Sequence, residues 1–374
     1  MRCIHTHSAV WRLTVTVALL TGWGILRSVA GQTPKDPQVS DLSLNEEIVF
    51  FPVAARQVDD AGQWEAQVHA WVFEPSEDSL RRRALVELLN RTIANPQDAA
   101  ERARFASRIR PFLVDNERAK QVVVRTGDRL WALSRSDPDG HAWGTIRWPG
   151  DVVAKSGARE ILEVEAVLPT GDTRRFRGQV QFLPPEGTTV ISDIDDTIKD
   201  SQVLNREELL RNTFLRPFRP VSGMPELYRR WHTEQGACFQ WVSASPWQLY
   251  VPLEELRREA GFPPTVFHLR RFRWKDASSL ASLFDSQDDK RKAIESILQT
   301  WPGHSFVLVG DTGEKDPEVY GEIARRHPAR IRKIYLRDVT AEPRDADRYV
   351  QALRDVPAEL WELFTDPARL EWPR

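Results

Sequence analysis

Between residues 64 and 70 the chain alternates, and Val72 continues the apolar positions. Trp64, Ala66, Val68, Ala70 and Val72 are apolar, and Glu65, Gln67 and His69 lie between them. A period of two predicts a strand with one buried face. The same period returns at Leu162, Val164, Ala166 and Leu168, and again at Phe176, Gly178, Val180 and Phe182. Thr170-Gly171-Asp172 separates these runs, which predicts strand, turn and return strand. Residues 122–124 and 130–133, on either side of Gly127-Asp128, predict another hairpin. Residues 79–94 break the period, with Leu85, Leu88 and Leu89 at helical spacing. Residues 46–185 therefore read as a mainly antiparallel β domain carrying a helical insertion.

After Leu183-Pro184-Pro185-Glu186-Gly187 the rhythm changes. Short apolar runs at 190–191, 239–242, 306–309 and 331–336 alternate with helical patterns at 224–232, 247–260, 290–299 and 317–326. Gly261 closes the second of these helices. Buried strands alternating with helices predict an α/β domain with a parallel sheet over residues 187–374.

Residues 1–30 hold Arg2, Arg12 and Arg27, no acid, an apolar stretch from 13 to 26, and then Ser28-Val29-Ala30. That is the pattern of a secretory signal, which predicts a periplasmic or secreted protein. An uncleaved N-terminal membrane anchor is the alternative. Residues 31–45, polar with two prolines, read as a linker. Lys+Arg 52 against Asp+Glu 54 leaves no basic excess over the 374 residues, so no nucleic-acid partner is expected. Two cysteines, Cys3 and Cys238, exclude a disulfide scaffold and a Cys-rich zinc site. Cys238 borders an apolar run and reads as a small buried hydrophobe.

The chemistry concentrates where apolar runs end. Ser192-Asp193-Ile194-Asp195-Asp196-Thr197 follows the first run, at the carboxyl end of a strand, where open α/β sheets bind ligands. Three carboxylates in four residues repel one another unless a cation sits between them, and an all-oxygen set suits Mg²⁺. Gly310-Asp311-Thr312-Gly313-Glu314-Lys315-Asp316 follows another run. A third ends in Ser243-Ala244-Ser245-Pro246, and Lys290 and Lys292 open a helix. Carboxylate nucleophile, metal, hydroxyl and ammonium together can transfer a phosphoryl group. There is no Gly-X4-Gly-Lys-Ser/Thr loop, and the Ser-Ala-Ser run lacks the glycines of a nucleophile elbow.

Asp193-X-Asp195-X-Thr197, the strand ending in Ser243, the upstream lysine, and Gly310-Asp311 with Asp316 resemble the haloacid dehalogenase-like hydrolase superfamily. The longer strings 191–199, 242–247 and 310–320 are similar to the catalytic domain of the actin-patch-associated phosphatidate phosphatase family, over about residues 187–340. The resemblance implies a Rossmann-like parallel sheet with a small cap or none. It makes Asp193 the nucleophile and Asp195 the acid and base. Asp193, the Asp195 main-chain carbonyl and Asp311 would hold Mg²⁺, with Asp316 in support. Thr197, Ser243 and Lys290 would meet the substrate phosphate. The family lysine stands four residues before an apolar helix position, which selects Lys290 by its distance from Ile294. Lys292 is the runner-up.

An acid at position 195 favours phosphomonoester hydrolysis over dehalogenation, because an alkoxide leaves poorly unless protonated. The activity implied is release of diacylglycerol and phosphate from phosphatidate. Two other readings stay open: an exported phosphatase of soluble phosphomonoesters, and a non-catalytic phosphatidate-binding module. Ser245 reads as structural. Arg270, Arg271, Arg273 and Lys275 read as a solvated face, or else as a peripheral contact with anionic lipid. The β domain reads as a docking module or a structural companion.

Overall fold

The computed structural model describes residues 38–58, 62–75, 96, 98–150, 161–272 and 287–373. The expected signal segment at 1–30, the helical pattern at 79–94, and Arg273 and Lys275 lie outside the described residues.

The first sheet has nine strands. They are β1 (Glu47–Phe51), β2 (Val53–Gln57), β3 (Trp64–Glu74), β4 (Asp115–Asn116), β5 (Gln121–Thr126), β6 (Arg129–Arg135), β7 (His141–Trp148), β8 (Ile161–Ala166) and β9 (Arg177–Phe182). Pro52, which has no N–H to give a ladder, separates β1 from β2. β1 and β2 pair antiparallel with β3, and β7 and β4 do so as well. The path continues β2-β9-β8-β5-β6, with β2 and β9 parallel and the rest antiparallel. The alternation read from the sequence sets the faces. Ala66, Val68, Ala70 and Val72 enter a core with Ile48, Val124, Ile146 and Val180.

The opposite face is not left to solvent. Register sets Phe51 beside His69 and His69 beside Trp143, a ring row across β1, β3 and β7. The rings stack, Phe51 on His69 at 4.6 Å and His69 on Trp143 at 4.9 Å between centroids. Trp247 of the second domain lies on this row, 5.6 Å from Phe51, and clusters with Phe51, Trp71 and Phe73. The β domain therefore docks on its neighbour through aromatic rings.

Residues 40–42 differ from the linker reading. Ser40 donates to Val123 O at 3.1 Å and accepts from Val123 N at 2.9 Å, and Leu42 is buried in the β core. A helix that no periodicity announced, α1 (Ala99–Ile109), is capped by Asp98. It lies in sequence within the β region but packs elsewhere. Phe105 and Ile109 join Leu210 and Phe214, and buried Arg108 donates to Thr213 O at 2.7 Å and Arg216 O at 2.6 Å.

The second sheet is built from β10 (Gly187–Ser192), α2 (Arg206–Phe214), α3 (Met224–Gln235), β11 (Cys238–Pro246), α4 (Tyr250–Ala260), β12 (Val266–Arg270), α5 (Gln287–Thr300), β13 (His304–Asp311), α6 (Asp316–Arg326), β14 (Ile331–Arg337), α7 (Asp347–Ala352) and β15 (Trp361–Phe364). Its six strands run β12-β11-β10-β13-β14-β15, all neighbours parallel. Counted from the first strand of this sheet, that is the 3-2-1-4-5-6 order of a doubly wound fold.

Both faces are covered. Val307 and Val309 of β13 point to a cluster with Leu210, Leu227 and Leu253, while Phe306 and Leu308 point to one with Ile294, Val319 and Tyr349. This is why these strands read as unbroken apolar runs rather than alternating ones. Cys238 is buried. No helix among the described residues is long and apolar enough to cross a membrane. The chain order reverses between β10 and β13, and the crevice at their carboxyl ends is where such sheets bind ligands.

Trp247 is 6% exposed, so Trp247→Ala opens a cavity under the ring row. A loss of about 3–5 kcal/mol in unfolding free energy is expected, read from the urea midpoint.

Candidate active site

The end of β10 and the end of β13 are tied together, since Asp193 N–H donates to Val309 O at 2.8 Å. The chain then turns sharply. Asp196 takes φ 53°, a left-handed conformation that Asp tolerates, and its carboxylate accepts from Ser201, Gln202 and Val203 N–H groups at 2.8, 2.9 and 2.6 Å. Of the three clustered acids, Asp196 thus holds the loop, which leaves Asp193 and Asp195 for the site.

Lys290 reaches in from the first turns of α5. Its Nζ lies 2.7 Å from Asp193 Oδ1, an ion pair outside hydrogen-bond geometry, and donates to Asp316 Oδ1. Lys292, two residues on, is exposed. Asp311 ends β13. Its Oδ1 accepts from Gly313 N at 2.6 Å and Glu314 N at 3.0 Å, and its own N–H donates to Asp316 Oδ2 at 3.1 Å. Gly310 makes this possible, because a Cβ there would overlap the Asp316 carboxylate and the Tyr320 ring. Thr197 is buried, with its Oγ1 unpartnered among the described residues.

Asp195 is bound more tightly than any sequence signal indicated. Lys199 Nζ donates to its Oδ1 at 2.6 Å, and Ser201 Oγ does so at 2.6 Å. Its Oδ2 accepts from Ser245 Oγ at 2.9 Å, with Ser243 Oγ at 3.4 Å. Ser245, read as structural, therefore touches the site directly, and Lys199 and Ser201 were not singled out at all. A Lys four residues past an acid was the available cue for Lys199, but without the turn at Asp196 that spacing carries no direction. Glu314 was missed too. Half-buried, it places Oε2 3.5 Å from Lys290 Nζ.

The charges explain one another. Burial pushes the Asp193 carboxyl well above the usual carboxylate range, and Asp316, Glu314 and Asp311 add to it against the pull of Lys290. Burial likewise raises Asp311, helped by Asp316 and Glu314, and pushes Glu314 up to about 7. Burial would also raise Asp195. The Lys199 ammonium and the hydrogen bonds from Lys199, Ser201 and Ser245 outweigh it and hold Asp195 below its ordinary range. Burial would neutralise Lys290, but Asp193 and Asp316 keep its ammonium charged well past the usual lysine range.

Asp193, Asp311 and Asp316 each offer a carboxylate oxygen within 4.8 Å of the others. Asp193 Oδ2 and Asp311 Oδ2 are buried and carry no hydrogen bond among the described residues. Two unpartnered carboxylate oxygens in a dry crevice cost free energy unless a cation meets them. An all-oxygen donor set of this kind fits a hard divalent ion such as Mg²⁺.

Residues 188–338 match the family model of the catalytic domain of phosphatidate phosphatase APP1. Phosphatidate phosphatase APP1 of Saccharomyces cerevisiae is 31% identical over 192 residues, covering 50% of this chain and 32% of that protein. An uncharacterized protein of Schizosaccharomyces pombe is 30% identical over 191 residues, covering 48% of this chain and 31% of that protein. The chain thus spans about a third of the length of these curated relatives.

Lys199→Met leaves the Asp195 charge buried and unpaired. At neutral pH a loss of about 3–5 kcal/mol is expected by urea denaturation. In the parent, Asp195 binds its proton more weakly folded than unfolded, so its stabilisation is lost as pH falls. In the variant, burial makes the folded state the tighter proton binder, so acid restores stability. The gap between the two proteins should narrow as pH falls. A gap that widens contradicts the assignment.

Proposed function

We propose that this chain is a Mg²⁺-dependent phosphomonoesterase of the haloacid dehalogenase-like type, acting on phosphatidate to release diacylglycerol and phosphate. One observation carries the reading. Asp193 stands at the switch point of a doubly wound sheet with Lys290 on one carboxylate oxygen and no hydrogen bond on the other among the described residues, two residues before a separately anchored acid. The similarity of residues 188–338 to an APP1 catalytic domain supplies the substrate class.

In the first step an Asp193 carboxylate oxygen attacks phosphorus and the bond from phosphorus to the ester oxygen breaks. The departing alkoxide takes a proton from Asp195, leaving an aspartyl-phosphate. In the second step water gives a proton to Asp195 while its oxygen attacks phosphorus. The bond from phosphorus to Asp193 breaks, phosphate leaves, and both carboxyl groups return to their starting states. Lys290 neutralises charge beside Asp193, and Ser243 and Thr197 offer hydroxyls to phosphoryl oxygens. Asp193, Asp311 and Asp316 with the Asp195 main-chain carbonyl would hold Mg²⁺, which keeps the carboxylates ionised and balances phosphoryl charge.

Asp195 is ionised in the free protein, whereas the first step consumes a proton from it, so it takes one up from solvent as substrate binds and gives it back once phosphate has left. A phosphate dianion brought beside Asp195 raises its affinity for a proton, as any nearby like charge does. Lys199 then sets how far that rise goes.

The test is phosphate release by the full chain with phosphatidate in detergent micelles and with an aryl phosphate, in Mg²⁺ or in EDTA. Mg²⁺-dependent release from phosphatidate is expected, reduced on the order of 10³-fold in Asp193→Asn. Release from the aryl ester alone would keep the chemistry and discard the lipid. Release from neither would sink the enzymatic reading and leave phosphatidate binding without turnover.

A further inference from the structure

The catalytic groups do not face open solvent alone. A cavity of about 290 Å³ has Ser243 and Lys290 at one end, Leu269 and Trp247 along one side, and Phe51 and Trp143 of the β domain along the other. Ser243 lies 3.4 Å from Asp195 Oδ2 and Lys290 lies 2.7 Å from Asp193 Oδ1, so a phosphoryl group between them has this cavity beside it. A second cavity, of about 510 Å³, continues from it past Phe51, His69 and Trp143 towards Gln67, Thr145 and Trp301. The row of rings that docks the β domain is thus also the wall of a cleft.

We propose that this wall selects the substrate, with Trp143 as its specificity-determining residue. The proposal rests on the phosphatase reading and adds what the site accepts. Arg270, Arg271 and Asp289 also line this cavity, but the wall that the β domain supplies, Phe51, His69 and Trp143, is aromatic. Phe51, Trp247 and Leu269 carry no charge, and burial holds His69 at a pKa of about 3, so it is a neutral ring at physiological pH. An ester whose alcohol carries an apolar group close to the phosphate replaces water there favourably, whereas a small polar alcohol gains nothing.

Trp143 is half-buried and fixed in place. It stacks on His69, and the Arg271 guanidinium lies 4.7 Å above its ring. Arg271 is in turn held by Asp137 at 2.8 Å, across the domain contact. Arg271, exposed as its place in a basic run suggested, nevertheless packs over Trp143 and ties it to Asp137.

Two kinds of ligand share this chemistry, a short-chain phosphatidate and an aryl phosphate. The experiment compares kcat/KM of the full chain for dihexanoyl phosphatidate, 1-naphthyl phosphate and glycerol 3-phosphate. Trp143→Ala should cut the preference for the apolar esters over glycerol 3-phosphate about tenfold, mainly through KM. Trp143→Phe should keep most of that preference, since a ring still forms the wall. A preference lost for both apolar esters assigns the wall to apolar groups in general, and one lost for the lipid alone assigns it to glycerolipids. A preference unchanged in Trp143→Ala, or one lost equally in Trp143→Phe, overturns the proposal. If the parent releases phosphate from none of the three, the phosphatase reading fails by itself. The cleft is then judged by calorimetric binding of 1-naphthylphosphonate. Binding weakened about tenfold by Trp143→Ala supports it, and no binding to the parent, or an unchanged Kd, overturns it.

Discussion

Like charge forced together out of water is the constraint on which this structure depends. Asp193, Asp195, Asp311 and Asp316 are all at most 3% exposed. Left to themselves they would repel and take up protons. Two buried ammonium groups divide them. Lys290 serves Asp193 and Asp316, and Lys199 serves Asp195. The partners come from different elements, a loop after β10, the start of α5 and the start of α6. The arrangement is therefore tolerable only when all three have closed around it. Gly310 contributes by what it lacks, since the Asp316 carboxylate occupies the space of its missing side chain.

The sheet supplies the fixed points. β10 and β13 are neighbours in space though far apart in sequence, and their parallel register brings Ser192 level with Val309. Asp193 and Asp311 follow directly. Apolar clusters on both faces hold that register, because a slip of one residue would exchange the two faces of every strand. Tyr228 and Tyr320 reinforce it from below the site, one on Ser192 Oγ and the other on Val309 O.

Much of this was legible in the sequence, for identifiable reasons. The strands of the second sheet are buried on both faces, so they stand out as apolar runs, and the acids that end them mark its carboxyl edge. Lys290 followed from the family resemblance, which places a lysine four residues before an apolar helix position such as Ile294. What was hidden depended on turns and distant contacts. Asp196 is as acidic as its neighbours, and only its left-handed backbone and three N–H partners show that it holds the loop. Lys199, Ser201 and Ser245 converge on Asp195 from two chain segments, and nothing in their local spacing says so. The helix Ala99–Ile109 escaped notice because few of its residues are buried, and it packs across a boundary that the Pro184-Pro185 break seemed to draw. α7 and β15 are too short for a period to develop. His69 sat on the polar side of its strand by periodicity, and only the partner domain turns that side into an interior.

That last reversal has a further consequence. The carboxylates and ammonium groups belong entirely to the second domain, and part of the cleft beside them is lined by the first. Two sheets share the lining of one pocket, and none of the buried site carboxylates sits on the β side. A change in β1, β3 or β7 can therefore reshape the pocket without moving the buried carboxylates. In such an arrangement the shape of a pocket can change by exchanging the companion sheet, while the cluster of carboxylates and ammonium groups stays as it is.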